Sequence, residues 1–113
     1  MKAGAADFIP KPFSDQDLID AVQRAIERDV AERERRGEIA RIRRRIESLT
    51  ERERDVFSRV VTGMLNKQVG LELGITEKTV KVHRANVMLK MDADSLADLV
   101  RMAERAGVVG PEG

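Results

Sequence analysis

Apolar residues recur every three or four positions through most of this chain, which is the spacing of one face of an α-helix. Between Asp15 and Ser48 the only strong helix breaker is Gly37, so the pattern predicts one long helix, or two helices hinged near that glycine. The apolar row of this segment consists first of Leu18, Ile19, Val22, Ala25, Ile26 and Val30, and then, after the polar stretch AERERRGE, of Ile39, Ile42, Ile46 and Leu49.

The isoleucines of the second part form a short heptad seam, for which two interpretations stay open. The seam can pair with a second copy of the chain, or it can pack on the neighbouring domain as the stripe of a solvated linker helix. The arginine-rich run RIRRR at residues 41–45 lies in the same segment. It could touch nucleic-acid phosphate, but its interleaved isoleucines favour the solvated face of a linker.

Beyond Leu49 the turn signals become frequent, and they divide the chain into short helices. The predicted helix starts are Thr50 with Glu53, Asn66, Thr76, and Ser95 with Asp98, and the predicted ends are Gly63, Gly74, about Met91, and Gly107. Their inward stripes are predicted to be Val56, Phe57, Val60 and Val61, then Val80, His83 or Arg84, Val87 and Met91, and finally Leu96, Leu99, Val100 and Ala103. The fold class is therefore all-α, with a long N-terminal helix followed by a four-helix bundle.

Residues 1–13, MKAGAADFIPKPF, form a separate unit. The segment ADFI can be a short strand, and the prolines that follow end it. A single strand cannot satisfy its own backbone groups, so this unit is expected to be disordered, paired with a second chain, or rearranged.

The composition excludes several classes of function. The chain has 113 residues, of which 36% are charged, with no cysteine and one histidine, His83. Disulfides, thiolate or multi-histidine metal sites and two-histidine catalysis are excluded, and no catalytic set is visible, so we expect no enzyme, cofactor or metal. No apolar run can span a bilayer and the N-terminus lacks a signal-peptide core, so we expect a cytoplasmic protein without a membrane partner.

The segment TEKTVKVHRANV, residues 76–87, is where the charge pattern changes. Residues 76–91 hold Lys78, Lys81, Arg84 and Lys90 against Glu77 alone. Two helices joined by the turn LGIT match a helix-turn-helix, in which the second helix enters the DNA major groove. One face of that helix carries Lys78, Lys81, Val82 and Ala85, residue types that can contact guanine or the thymine methyl group. A solvated amphipathic helix is the alternative, and His83 is interpreted as a packed, hydrogen-bonded core residue.

These motifs together carry a family resemblance. The run LTERERDVFSRVVTGMLNKQVGLELGITEKTVKVHRANVMLKM, followed by SLADLV, resembles the LuxR/FixJ-type helix-turn-helix of bacterial transcription regulators. MKAGAADFIPKPF resembles the last loop and strand of a response-regulator receiver domain, with Lys11 at its phosphoryl-contacting position, and SDQDLIDAVQRAI resembles the final receiver helix. The resemblance implies a receiver remnant at 1–30, a charged helical linker at 31–48, the LuxR-type domain at 49–107 and a loose tail at 108–113.

The resemblance also implies residue roles. Lys81, Val82 and Ala85 match base-contacting positions, Lys67 and Thr79 match DNA-backbone positions, and Lys78, Arg84 and Asn66 are further backbone candidates. Asn66 can instead be a simple helix cap, and Arg84 can instead link two helices. The surface candidates for a homodimer are Ile39, Ile42, Ile46, Leu18, Val22, Ile26, Ala97 and Val100. Gly70 departs from the family's usual alanine, which predicts a softer first helix in the pair.

The function implied is that of a sequence-specific, DNA-binding transcription regulator, the output part of a FixJ-like two-component system. Its expected partners are double-stranded DNA, a second copy of the chain and RNA polymerase. The phosphoacceptor aspartate of a receiver would lie upstream of Met1, so these residues are expected not to accept phosphate. The alternative is a dimerising fragment that modulates another regulator through the linker helix and the receiver remnant.

Overall fold

The structure, a computed structural model, describes residues 14–108 and residue 110. Its five helices are α1 (Asp15–Glu47), α2 (Glu51–Val60), α3 (Asn66–Leu73), α4 (Glu77–Met91) and α5 (Leu96–Ala106). There is no strand within the described ranges, which confirms the all-α fold class. The predicted strand and Lys11 lie outside them.

Helix α1 passes through Gly37 without a break, so of the two predicted forms the single long helix is correct. The chain nevertheless divides into two compact units, residues 1–37 and residues 38–113. In the first unit, Ser14 caps α1 as predicted, since its Oγ accepts a hydrogen bond from the Asp17 N–H at 3.0 Å. The large apolar side chains of this half of α1 are exposed, namely Leu18, Ile19, Val22, Ile26 and Val30.

The second unit contains the hydrophobic core. Its buried members come from the end of α1, from all four later helices and from the α1–α2 turn; they are Ile42, Leu49, Val56, Phe57, Val60, Val69, Val80, Val87, Met91, Leu99, Met102 and Ala103. Ile46 packs against this cluster from its edge. The second half of the α1 apolar row therefore packs on its own bundle, which is what the linker-helix interpretation predicts.

The helix caps show why the chain turns where it does. At the start of α2, the Glu53 N–H donates to Thr50 Oγ1 at 3.1 Å and the Thr50 N–H donates to Glu53 Oε1 at 2.9 Å. This reciprocal pair is the capping box expected from Thr50 and Glu53. The Ser95 hydroxyl accepts from the Asp98 N–H at 3.1 Å in the same way. These caps confirm two of the predicted helix starts.

Three local predictions were wrong. Asn66 does not cap α3, because it is already the first helical residue and the cap position belongs to Leu65. In α5, Leu96 is exposed and Val100 only half-buried, while Met102 is buried instead, so the inward stripe is rotated from the predicted one. Val108, assigned to the loose tail, packs against the core and donates its N–H to the Ala103 carbonyl at 2.9 Å.

Candidate nucleic-acid interface

The turn between α3 and α4 sets the angle of the second helix. Gly74 ends α3 in the left-handed region with φ of 71°, which a glycine adopts without steric cost. The N–H groups of Gly74 and Ile75 both donate to the carbonyl of Gly70. The chain therefore doubles back onto the middle of α3 within a few residues.

Gly70 makes this close approach possible. A Cβ atom at position 70 would lie 2.7 Å from the carbonyl oxygen of Ile75, a distance that real Cβ contacts do not show. The departure from alanine that the sequence predicts to soften α3 thus has a packing reason, because the turn touches the helix at this residue.

Helix α4 starts at a threonine cap. Thr76 Oγ1 accepts from the Thr79 N–H at 3.1 Å, and the two hydroxyl oxygens lie 2.9 Å apart. The hydroxyl of Thr79, one of the predicted DNA-backbone residues, is therefore engaged locally with Thr76. The backbone N–H groups of this first turn can still face an anion, since a helix N-terminus carries a partial positive charge.

The two faces of α4 differ in character. Val80, Val87 and Met91 are buried, whereas the predicted base-contacting residues Lys81, Val82 and Ala85 are all exposed together with Lys78. Val82 is 55% exposed although it is apolar. The structure therefore brings the three predicted base-contacting residues onto one accessible surface.

Sequence reasoning missed Leu89, which is 79% exposed. It lies four residues beyond Ala85 and so continues the exposed face toward the C-terminal end of α4. The signal was available, because Leu89 falls outside the inward stripe. We call Lys78, Lys81, Val82, Ala85 and Leu89 the outer face of α4.

The positive charge of the outer face is largely free. Lys81 Nζ lies 4.0 Å from Glu77 Oε2, and both side chains are more than half exposed. Such an exposed pair contributes little and can be replaced by another anion. Lys67 and Lys78, both predicted to contact the DNA backbone, are exposed and form no ion pair among residues 14–108.

Lys90, which the sequence pattern counts with the local basic residues, is used differently. Its Nζ donates to Glu53 Oε1 at 2.8 Å, and the Glu53 side chain is 6% exposed. The hydrogen bond from Lys90, followed by the one from the Thr50 N–H, holds the pKa of Glu53 below its ordinary value. Lys90 therefore ties α4 to the capping box of α2 and does not extend the basic surface.

Asn66 and Arg84 are bonded to each other. Arg84 Nη1 donates to Asn66 Oδ1 at 3.0 Å, which joins the start of α3 to the middle of α4. This contact agrees with the interpretation of Arg84 as a link between helices. Contact of either residue with DNA phosphate stays a prediction.

His83 is half-buried, but its Nδ1 atom is buried without a hydrogen-bond partner among the described residues. The structure therefore agrees with partial packing of His83 against the interior. The hydrogen bond expected for a core histidine is not found at Nδ1.

The predicted dimerisation residues occupy three environments. Ile42 is 4% exposed, Ile46 is packed at the edge of the core and Ile39 is half-buried, so this seam faces the chain's own bundle. Leu18, Val22 and Ile26 are exposed on α1. On α5, Ala97 is exposed and Val100 is half-buried.

Residues 14–108 contain no helix that is long and apolar enough to cross a membrane. In the same part of the chain, histidines, aspartates and glutamates do not gather in a group of three or more that could hold a metal ion.

Comparison with known proteins places this geometry in a family. The family of bacterial regulatory proteins called luxR matches residues 47–103. Nodulation protein W of Bradyrhizobium diazoefficiens is 52% identical over 108 residues, which are 96% of this chain and 48% of that protein. The transcriptional regulatory protein FixJ of Rhizobium meliloti is 53% identical over 111 residues, covering 98% and 54% of the two chains.

Solved structures agree with the sequence relatives. Full-length FixJ from B. japonicum is similar with a TM-score of 0.66 and 40% identity, over 95% of this chain and 53% of that one. The response regulator StyR is similar with a TM-score of 0.72 and 42% identity, over 90% and 52%. The chain thus spans about half the length of the curated relatives it matches. Because the family match covers half of the chain and lies on the helices that carry the outer face, this protein belongs to the luxR family of bacterial regulatory proteins and is homologous to FixJ-type response regulators.

Proposed function

We propose that this LuxR-family transcription regulator reads specific duplex DNA by placing the outer face of α4 in the major groove. The observation that carries the proposal is the exposure of Lys81, Val82 and Ala85 on one side of a helix whose other side is fixed in the core. An α-helix fits the major groove, where each base pair presents a distinct pattern of donors, acceptors and methyl groups.

The three residues would read bases in different ways. The ammonium group of Lys81 donates to guanine O6 or N7, while the branched side chain of Val82 and the methyl group of Ala85 contact thymine methyl groups. Ala85 offers no hydrogen bond, so selectivity opposite it rests on apolar contact. The position of Leu89 supports a further apolar contact at the end of the same face.

Phosphate contacts would set the register of the helix. Lys67 and Lys78 are exposed cations without an ion pair in the described part of the chain, and the N–H groups at the start of α4 add a partial positive charge. Thr79, Arg84 and Asn66 would add to these phosphate contacts. Thr79 lies in the first turn of α4, and the hydrogen bond from Arg84 to Asn66 joins α4 to the start of α3.

The decisive experiment is selection of binders from a randomised duplex DNA pool by the chain and by Lys81→Ala. We expect an enriched sequence that is lost, or relaxed at one base pair, in the variant, because a good base contact discriminates by about 1–3 kcal/mol. Arg33→Ala is the control, since it also removes one exposed cation but lies on α1. Equal enrichment by the wild type and Lys81→Ala would refute base reading by Lys81.

A homodimer is part of this proposal, and the exposed apolar row Leu18, Val22 and Ile26 is its favoured surface. These residues lie four apart on one side of α1, so two copies can bury them against each other. Ala97 and Val100 on α5 are a second candidate. Ile39, Ile42 and Ile46 are less suited, because Ile42 is already buried within its own chain.

Regulation and location follow from the same family. We propose that the helices of residues 38–108 bind DNA without phosphorylation, because the outer face of α4 and the core that supports it both lie within this range. RNA polymerase would be the partner at a promoter, and the cytoplasm would be the compartment, since that is where the bacterial chromosome is found.

A second candidate function uses the same exposed row on α1 for another purpose. Pairing of this row with a different regulator would make the chain a modulator of that regulator. The α4 and α1 surfaces separate the two functions. Lys81→Ala abolishes base reading and spares the modulation of another regulator. Ile26→Asp breaks pairing through α1 and so abolishes modulation, while the bases that α4 selects within one half-site stay the same. Ile42→Asp does not serve this purpose, because a charge at that buried position disrupts the core.

A further inference from the structure

The last turns of α1 carry a group of arginines that the DNA-reading helix does not explain. Arg41, Arg44, Arg45 and Ser48 line an open concavity of about 340 Å³ on the surface of the second unit. The isoleucines interleaved with them point the other way, since Ile42 is buried and Ile46 packs on the core. The packing of the isoleucines therefore holds the guanidinium groups on one outward side.

The ordinary role of arginines at a helix end is to interact with its unpaired carbonyl groups. Here those carbonyls are already occupied by another residue. Arg54 of α2 donates to the carbonyls of Ile46, Glu47 and Leu49 at 3.3–3.4 Å. Ser48 Oγ donates to the carbonyl of Arg45 at 2.6 Å. Capping of α1 thus leaves Arg41 and Arg44 unused.

The acidic side chains nearby are mostly paired with other residues. Glu38, Asp92 and Asp98 line a neighbouring concavity with Arg41 and Arg45, but Glu38 and Asp98 form ion pairs with arginines of α5. Arg45 Nη2 lies 3.9 Å from Asp92 Oδ2, and the Asp92 side chain is 78% exposed, so this pair is weak. Arg41 and Arg44 are exposed and form no ion pair among residues 14–108. Two cations on successive turns of one helix, free of partners and beside an open concavity, fit an extended polyanion.

The position of the concavity relates it to the DNA-reading helix. Asp92, which Arg45 approaches, is the C-terminal cap of α4. It lies ten residues beyond Val82, and at 1.5 Å per residue that places it about 15 Å along the axis of α4. The major groove is about 8.5 Å deep, so a helix that enters it with its N-terminal end carries its far end out of the groove, toward the sugar–phosphate strands that border it.

We propose that Arg41 and Arg44 bind phosphodiester groups of the same duplex DNA, outside the base pairs that α4 reads. The inference rests on the proposed function, since it takes α4 to lie in the major groove. It extends the DNA contact from the helix-turn-helix to the end of α1. The planar guanidinium fork suits two phosphate oxygens, and the open form of the concavity suits a passing strand better than an enclosed small anion.

Salt dependence tests the proposal directly. Each phosphate neutralised by the protein releases counterions, so log K falls with log salt concentration with a slope of about −0.9 per contact. We expect Arg41→Gln with Arg44→Gln to reduce the magnitude of this negative slope by roughly 1.8 on the selected duplex, without changing which sequence the pool selection enriches. Arg41→Lys with Arg44→Lys should retain most of the slope, because the charges remain.

The matched control is Arg33→Gln with Arg35→Gln, which removes the same charge from α1 at residues that pair with Asp29 and Glu32. Its slope should equal that of the wild type. An unchanged slope in Arg41→Gln with Arg44→Gln overturns this inference while leaving base reading by α4 in place. Absence of any duplex binding by the wild type overturns the proposed function, and with it this extension.

Discussion

Glu53 is the one charged side chain among the described residues that is buried, and it serves two neighbours. Its carboxylate accepts from the Thr50 N–H and from Lys90 Nζ, so it closes the start of α2 and holds the end of α4. Both contacts favour the charged form, which is why the pKa of Glu53 is lowered. A lowered pKa in the folded state means that folding is favoured by ionisation of this group.

We predict that the stability contributed by Glu53 is fully present above its ordinary pKa of 4.5 and is lost as the pH falls through its lowered, folded-state value. Glu53→Gln keeps an acceptor for the Thr50 N–H but removes the charge that faces Lys90. It should reduce the free energy of unfolding at pH 7 by about 1–3 kcal/mol, and the difference from wild type should shrink in acid. Urea denaturation across pH measures both effects.

Glu51→Gln is the control for this experiment, since it removes an exposed carboxylate from the same helix start. It should change the stability by no more than about 0.5 kcal/mol. If Glu53→Gln shows the same difference from wild type at every pH, the charge on Glu53 does not carry its contribution.

Of the two hydrogen bonds of Glu53, the sequence predicts only the one whose partner is close in the chain. The capping box is predicted by the spacing of Thr50 and Glu53, because three residues separate a cap from its reciprocal partner. Lys90 lies 37 residues from Glu53, and its charge is counted with the basic residues of α4 until the bundle brings the two together. The Asn66–Arg84 bond was hidden for the same reason, with a separation of 18 residues.

At the level of elements, the local patterns predicted which helices exist better than which residues they bury. The starts at Thr50, Thr76 and Ser95 follow from side chains that bond their own backbone, so they need no tertiary information. The inward stripe of α5 depends on what packs against it. Several rotations of this helix are compatible with its many apolar residues, and the core selects the one that buries Leu99, Met102 and Ala103.

The turn between α3 and α4 gives a prediction at this scale. Gly70→Ala should destabilise the domain by about 1–3 kcal/mol, because the new methyl group meets the backbone carbonyl of Ile75 and the turn must shift. This is opposite in sign to the gain of roughly 1 kcal/mol that alanine brings to an unhindered helix. Urea denaturation of Gly70→Ala and wild type measures the sign of the change in the free energy of unfolding.

Leu71→Ala is a suitable neighbour for comparison, since Leu71 is on the same helix and 77% exposed. It should be nearly neutral. A Gly70→Ala protein more stable than wild type would mean that the turn relaxes freely, and that the glycine is not required there.

For the whole molecule, the prediction concerns self-association. Val22→Asp with Ile26→Asp should convert a dimer to a monomer in sedimentation experiments, because charges replace exposed apolar side chains on one side of α1. The control is Gln23→Asp with Glu27→Asp, which places aspartates at the same spacing on the same helix. It should leave the dimer intact, because it removes no apolar side chain. If the wild type is a monomer, or if Val22→Asp with Ile26→Asp remains a dimer, this row is not the dimer surface. In the second case Ala97 and Val100 are the next candidates.

The two ends of α1 are held in very different ways. Near Glu47 the helix is fixed by Ile42 and Leu49 in the core and by the guanidinium group of Arg54 on its last carbonyls. From Leu18 to Val30 its large apolar side chains are exposed. Local unfolding of α1 should therefore begin at its N-terminal end and stop before it reaches the bundle. The first turns of α1 can accordingly form or lose contact with a partner while the outer face of α4 keeps its shape.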